Sequence, residues 1–474
     1  GFTPVRARAA EQALDGAPLS PESIARAQAA LAQLSLAAGL YAGPVLGLKS
    51  TPQHGFYDPD LGVISPPDMQ NKPVVLISFY RSYLTAADTA PVDALIAELR
   101  ARGYAAYGVF AASLKSTQTA AWLRETLPVL KPAAIVNATA FSAQGSDGSA
   151  SPLNATGCPV FQVALSTARK KDWAEAARGL SPADLAMHVV LPEVDGRILA
   201  GVVSFKSPGK QDPDLQYSRF AHRPVADRIA AVVDRVEGWL RLAAQPNTAK
   251  RPALILSTYP GKAHNLAHAV GLDALASCEE ILAGLAKQGY DTAPQGDLGL
   301  RLDSAALRFS LQEYTAALAS LPQVLQQDLA AAWGAPQQDP DCRDGAFHFK
   351  ALQAGKALIA LQPERGEVQT RVDDYHDLER TPRHAYVAFY LWLRQHSDAL
   401  VHIGAHGTLE WLPGKSVALS AACWPEALTG ALPVVYPFIV NDPGEAAQAK
   451  RRIGAVTLGH VPPPLAQTTL PEGM

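Results

Sequence analysis

Pro73-Val-Val-Leu-Ile-Ser-Phe-Tyr80 is a short, β-branched, apolar run entered through Lys72-Pro73. Such a run, bounded by breakers, predicts a strand buried on both faces, the kind found inside parallel sheets. A helical segment follows over Val92 to Arg102, stopped at Gly103-Tyr104, and a second strand over Ala105 to Phe110. Further strands are predicted at Ala133 to Asn137 and Val160 to Leu165. Strand and helix alternating across short loops predict a doubly wound α/β layer.

The pattern then starts again. Arg251-Pro-Ala-Leu-Ile-Leu-Ser-Thr-Tyr259 echoes Lys72 to Tyr80 at an offset of 179 residues. Ile281-Leu-Ala-Gly-Leu-Ala-Lys-Gln-Gly-Tyr290 echoes Leu95-Ile-Ala-Glu-Leu-Arg-Ala-Arg-Gly-Tyr104 at an offset of 186. Duplication and chance similarity of two βα starts both remain open. Either way the expected fold class is α/β: two or more open, mostly parallel Rossmann/flavodoxin-like layers with an irregular Gly/Pro-rich C-terminal region. Residues 1–70 read as a helical and irregular segment, with a helix over 18 to 39. Residues 71–245 read as a first α/β domain and 246–474 as a second, truncated at its C-terminus. The amphipathic helix Pro224 to Leu242 and the following Gln245-Pro246-Asn247 mark the boundary, and Phe141 to Gly157 is a loop. In the second half, helices are expected at Ala274 to Lys287, Leu311 to Trp333 and Pro382 to His396. Strands are expected at Lys356 to Leu361 and Ala399 to Ile403.

With 474 residues and a formal charge of −3, the chain lacks the basic excess of a nucleic-acid binder held by bulk electrostatics. An apolar content of 48% excludes a disordered chain. Four widely spaced cysteines, without a CxxC pair, read as free thiols in a reducing cytoplasm rather than a disulfide framework. No run of about 18 apolar residues predicts a membrane span. The start, Gly-Phe-Thr-Pro, carries neither an initiator Met nor a signal-peptide core, and reads as the cut end of something longer.

The common catalytic signatures are missing. Gly43 to Ser50 and Gly414-Lys415-Ser416 both fail the P-loop spacing, and there is no HExxH, GxSxG or GxGxxG after a strand. The dense region is Val401-His402-Ile-Gly-Ala-His406-Gly-Thr-Leu-Glu410-Trp-Leu-Pro-Gly-Lys415. Gly404, Gly407 and Pro413 argue against a helix. His402 therefore falls near the C-terminal end of a strand, with His406 and Glu410 on the loop beyond, where open α/β sheets bind ligands. Two imidazoles and a carboxylate suit a divalent transition metal such as cobalt or zinc; the plainer reading is two hydrogen-bonded or solvated histidines.

Two clusters lie close by in sequence. Tyr375-His376-Asp377 through Arg380-Thr-Pro-Arg383-His384 gathers His and Arg. Asn441-Asp442-Pro443-Gly444 is turn chemistry that places Glu445 at a helix start, where its charge is favoured, ahead of Lys450-Arg451-Arg452. That triplet reads either as a solvated helix face or as a cationic rim for a substrate bearing several carboxylates. His264 and His268 form another pair in a Gly-rich loop, read as non-metallated.

These segments carry a resemblance. His402 to Lys415, Tyr436 to Arg452, Tyr375 to His384, His460-Val-Pro-Pro, Tyr259-Pro260, Val270 to Asp273 and Asp344 to Phe347 resemble the large subunit of cobaltochelatase (CobN type), related to the large subunit of magnesium chelatase. The resemblance covers about residues 250 to 465. It implies a cytoplasmic ligase forming nitrogen–metal bonds, which inserts Co2+ into hydrogenobyrinic acid a,c-diamide in aerobic cobalamin biosynthesis. It also implies two AAA+-type partner subunits (CobS- and CobT-like) that use ATP and Mg2+. Glu410 would be the essential acid/base or metal-delivering carboxylate, and His402 and His406 the candidate metal ligands. His376, Arg380, Arg383, His384, Trp411, Lys415, Asp442, Glu445, Lys450, Arg451 and Arg452 would contact the tetrapyrrole, with Tyr375 and Tyr436 offering ring faces. Ala405 stands where this family commonly has Lys, and His268-Ala269 where it has Asn-Gly. The alternatives are a magnesium-chelatase-like subunit acting on protoporphyrin IX and a non-catalytic tetrapyrrole or metal carrier.

Overall fold

The computed structural model describes residues 51–67, 72–145, 147–211, 218–257, 272–366, 377–404, 407–437 and 443–459. The expected helix over 18–39, the His264/His268 pair, Tyr375, His376, His406, Asp442 and His460 lie outside them. The chain divides into two compact units, residues 1–52 with 208–220 and residues 53–207 with 221–474. In the described part of the first unit, the Gly209 N–H donates to the Arg219 carbonyl at 2.7 Å. Both sheet layers belong to the second unit.

The quoted run forms β3 (Val74–Tyr80), in which only Tyr80 is not buried. Leu76 packs into the core on one face of its sheet and Ile77 into the core on the other, as the alternation of strand side chains requires. Around it lie β1 (His54–Asp58), β2 (Gly62–Ile64), β4 (Ala105–Ala111), β5 (Ala134–Asn137), β6 (Val160–Ser166), β7 (Ile198–Pro208) and β8 (Phe220–Pro224). The order is β2-β1-β4-β3-β5-β6-β7-β8. β4 to β7 run parallel to their neighbours through β3, and β1 pairs antiparallel with β4. The hairpin β1–β2 falls within a stretch that the sequence reading left irregular, because its Gly and Pro punctuation masks two short strands.

The second layer repeats this plan. It contains β9 (Pro252–Leu256), β13 (Ala351–Ala354), β14 (Ala357–Leu361), β15 (Ala399–Ile403), β16 (Val434–Pro437) and β17 (Val456–Leu458), in the order β13-β14-β9-β15-β16-β17. Only β13 is antiparallel. β13-β14-β9-β15-β16-β17 thus matches β1-β4-β3-β5-β6-β7 strand for strand. The sequence echo is architectural down to the helix ends. The Tyr104 N–H reaches the Leu99 carbonyl at 3.1 Å, and the Tyr290 N–H reaches Leu285 at 3.0 Å. Each closure passes through a glycine at positive φ, Gly103 at 94° and Gly289 at 82°, which is the Schellman ending that glycine favours.

Where the first layer runs straight from Tyr104 into β4, the second inserts residues 291–356 before β14. The insert holds three helices and the antiparallel sheet β10-β12-β11, made from β10 (Leu307–Ser310), β11 (Cys342–Arg343) and β12 (Ala346–Phe349). The single helix expected over Leu311 to Trp333 is corrected here to two, Leu311–Leu318 and Gln323–Trp333. Pro322 cannot donate to a helical ladder and disfavours helical backbone in the residue before it.

The two layers are joined by buried polar contacts. Arg228 of the helix Ala226–Ala244 meets Glu426 at 2.7 Å and the Leu419 carbonyl at 2.9 Å. The Trp173 indole N–H donates to Ala418 at 2.8 Å. No described helix is long and apolar enough to cross a membrane. The four cysteines are free thiols, with Cys278 and Cys423 buried.

Candidate functional site

His402 is the penultimate residue of β15, and Glu410 lies one turn beyond, in the 3-10 turn Leu409–Trp411. Both side chains are completely buried, at 0% exposure. They face a common point. An ideal Cβ built on Gly407 would lie 3.3 Å from His402 Nδ1, 3.3 Å from Glu410 Oε2 and 2.4 Å from the Tyr436 hydroxyl. Gly407 is therefore packed closely against an imidazole nitrogen, a carboxylate oxygen and a phenol, and a larger residue could enter only by displacing them. His402 Nδ1 finds no hydrogen-bond partner among the described residues. An orphaned polar atom in so dry a place is costly unless something else binds there.

The remaining contacts fix this pair. The Tyr436 ring stacks on the imidazole at 4.8 Å and 4°, while its hydroxyl donates to Glu410 Oε2 at 2.7 Å. The Gly407 N–H donates to Glu410 Oε1 at 3.3 Å. Tyr390 lies on the other side, its hydroxyl 3.4 Å from His402 Nε2. The Gln362 amide donates to the Tyr390 and Tyr386 hydroxyls at 2.6 and 3.1 Å, and Tyr386 bonds to Thr408 at 2.8 Å. When Nε2 carries the ring proton toward Tyr390, Nδ1 keeps a free lone pair on the side of Gly407 and Glu410.

Burial sets the charge states. It pushes the Glu410 carboxyl up to about 7, with the nearby Glu445 adding in the same direction and the Tyr436 and Gly407 donors opposing. It pushes His402 down to about 3, so the imidazole is neutral near pH 7. A neutral imidazole ligates metals, and a carboxyl titrating near neutrality can take up or release a proton.

The other expected contact residues divide. Trp411 donates its indole N–H to Glu445 at 2.7 Å, and Glu445 sits in the first turn of the helix Pro443–Ile453, as the turn chemistry predicted. Arg452 is not part of a solvated face. It is 1% exposed, and its guanidinium holds the Glu410 and Lys415 carbonyls, fixing the loop that carries Glu410. Arg451 pairs with Glu193 at 2.9 Å. Lys450 is half-buried, without a side-chain partner among the described residues. Lys415 is buried, its ammonium donating to the Ala174 and Ala176 carbonyls at 2.9 Å. Arg383 is buried against Asp339 and Asp341, and His384 bonds to the Tyr314 hydroxyl at 2.7 Å and the Gly334 carbonyl at 3.1 Å. Arg380 is half-buried, 3.9 Å from Asp377. The basic residues expected to line a rim are thus mostly engaged within the fold. At the strand end where a ligand crevice was expected, the His402–Glu410 pair is enclosed.

Gln362, Tyr386, Tyr390 and Thr408 went unnoticed in the sequence. Tyr386 and Tyr390 are spaced i, i+4 on the helix His384–His396, a signal that ordinarily means core packing. Gln362 directly follows the apolar strand β14.

A family model described as CobN/Magnesium Chelatase matches residues 27–474. The chain belongs to that family. Within the CobN/magnesium chelatase family, the aerobic cobaltochelatase subunit CobN of Pseudomonas aeruginosa is 40% identical over 415 residues, 84% of this chain and 33% of that protein. The corresponding CobN of a Sinorhizobium species is 39% identical over 414 residues, 83% of this chain and 32% of that protein. A magnesium-chelatase subunit of Rhodobacter capsulatus is 30% identical over 464 residues, covering 89% of this chain and 38% of that protein. The solved catalytic subunit of cobaltochelatase from Mycobacterium tuberculosis is similar with a TM-score of 0.74 and 30% identity, over 96% of this chain and 40% of that one. The chain spans about a third of the length of the CobN relatives it matches.

Proposed function

We propose that this chain carries the metal-insertion centre of an ATP-dependent cobaltochelatase, acting in the cytoplasm on hydrogenobyrinic acid a,c-diamide in aerobic cobalamin biosynthesis. Co2+ is the substrate metal, and two AAA+-type subunits (CobS- and CobT-like) hydrolyse ATP for the reaction. The observation that carries the reading is the buried, unpartnered His402 Nδ1 placed with the Glu410 carboxyl against Gly407. Insertion must strip water from a divalent ion and remove protons from ring nitrogens. The neutral His402 imidazole replaces lost water as a labile ligand, and Glu410 accepts a proton or escorts the ion. His406, four residues after His402 in the chain, is the second candidate ligand, and Trp411 offers the macrocycle an apolar face.

Cobalt is favoured over magnesium on chemical grounds, because hard Mg2+ prefers oxygen ligands whereas imidazole suits later transition metals. The higher identity to the CobN relatives, 39–40% against 30% for the magnesium-chelatase relative, points the same way.

The full chain is tested with partner subunits, ATP, Co2+ or Mg2+, and hydrogenobyrinic acid a,c-diamide or protoporphyrin IX, following the absorbance spectrum. Cobalt-dependent spectral change with the corrinoid, lost in Glu410→Gln while tetrapyrrole binding survives, supports the reading. Magnesium insertion into protoporphyrin assigns the other branch of the family, and tetrapyrrole binding without turnover makes the chain a carrier.

A further inference from the structure

The first layer has a cavity of its own. Its volume is about 270 Å3, and it is lined by Tyr80, Ser113, Leu114, Lys115 and the loop 139–143. These groups stand at or just beyond the C-terminal ends of β3, β4 and β5. Because β4 and β5 flank β3 on opposite sides, the chain's winding reverses there. Open α/β sheets bind ligands in that crevice.

Strand register gives the corresponding place in the second layer. Leu76 pairs with Ile135, and Ile255, the same position of the repeated strand, pairs with His402. Counting on from these pairs, the loop 139–143 is the counterpart of residues 406–410. One layer thus carries the His402–Glu410 pair where the other carries an unassigned cavity.

The chemistry of the two places differs. Among the described residues, no His, Cys or carboxylate lines the first-layer cavity, so they offer no metal ligand set. Lys115 contributes an exposed ammonium that has no partner among the described residues. The backbone N–H groups of Thr139, Ala140 and Ser142 also lack an acceptor there, although Thr139 is almost fully buried. Their neighbours are satisfied: the Phe141 N–H donates to Met187 and the Ala143 N–H to Asp195, each at 2.8 Å. Buried peptide N–H groups are rarely left alone.

Phe141 stands at φ 65°, a left-handed conformation uncommon for a bulky residue, and turns of this kind can present N–H groups to an anion, here those flanking the engaged Phe141 N–H. Of the side-chain hydroxyls, Tyr80 donates to the Ala140 carbonyl at 2.7 Å, Thr139 to Asn137 at 2.9 Å and Ser142 to Asp195 at 2.6 Å, while Ser113 Oγ accepts from the Lys115 N–H at 3.2 Å. Behind the loop, Asp195 is neutralised by Arg197 at 2.5 Å. The free donors are therefore one ammonium and several amides, and the free charge is positive.

We propose that this crevice binds a small oxyanion, a carboxylate or phosphate group held by Lys115 and the N–H groups of Thr139, Ala140 and Ser142, with the half-exposed Phe141 ring against its organic part. The site is separate from the metal-insertion reading and stands or falls without it.

The test is calorimetric titration of the full chain with inorganic phosphate and, separately, with succinate. The accompanying readout is mass-spectrometric measurement of the rate at which an amine-reactive ester modifies Lys115. Saturable binding of either anion that shields Lys115, and that weakens at least about tenfold in Lys115→Met, supports the site. Phosphate alone assigns a phosphorylated ligand, and succinate alone a carboxylate. Lys115 is exposed and its side chain makes no hydrogen bond or ion pair among the described residues, so the variant reports on binding. Absence of saturable binding by both anions at millimolar concentration, or equal affinity in Lys115→Met, overturns the proposal.

Discussion

Tyr436 touches both members of the His402–Glu410 pair, through its ring and through its hydroxyl, and so sets their mutual geometry. Tyr436→Phe keeps the stack and removes the donor. Since that donor favours the ionised carboxylate, its loss moves the Glu410 pKa further up. The expected outcome is metal insertion slowed about 10- to 100-fold at neutral pH, the scale of a lost hydrogen bond to a charged group. The pH–rate profile of the reconstituted complex should have its basic-form limb displaced to higher pH; an unchanged profile would sink this role. Gly407→Ala drives a methyl group against the Tyr436 hydroxyl, Glu410 Oε2 and His402 Nδ1. It should abolish insertion while the far-ultraviolet circular dichroism stays that of the wild type. At this scale the placement of His402 near a strand end and of Glu410 beyond it was legible, because glycines interrupt the chain there. It misled for Arg452, whose position in a basic triplet suggests solvent. Only tertiary packing reveals that its guanidinium holds the Glu410 carbonyl.

Elements were legible where a single local signal determines them. β15 and the helix Ala274–Lys287 have the predicted bounds because a breaker or cap closes each end. The break between Leu318 and Gln323 was missed because apolar periodicity continues across it, although Pro322 marks the interruption. The insert 291–356 could not be placed, since nothing local says which strand resumes the layer. Packing between helix and loop is sharpest at Gly238 on the helix Ala226–Ala244. An ideal Cβ there would lie 1.9 Å from the Ala431 carbonyl oxygen, so the helix can approach that turn only with glycine. Gly238→Ala should destabilise the chain by about 1–3 kcal/mol, the range for overpacking a tight contact. Thermal denaturation checks this; a variant with unchanged melting would show that the turn at Ala431 yields freely.

For the whole molecule, the enclosed pair links stability to pH in two opposite ways. Glu410 has a folded pKa of about 7, above its ordinary value of 4.5. Its contribution is fully present below pH 4.5 and is lost as pH rises through 7, because the unfolded chain ionises first. His402 has a folded pKa of about 3, below its ordinary 6.5. Its contribution is present above pH 6.5 and is lost as pH falls toward 3, since only the unfolded chain readily takes the proton. The same burial that readies His402 to ligate and Glu410 to exchange a proton therefore makes the pair a cost to the fold over complementary ranges. Glu410→Gln removes the first cost and leaves the second. Its melting temperature relative to wild type should rise between pH 4.5 and 7 and level off above, while both proteins lose stability together on further acidification. Parallel melting curves across that interval would mean that Glu410 ionises freely, and hence that the pair is open to water rather than enclosed.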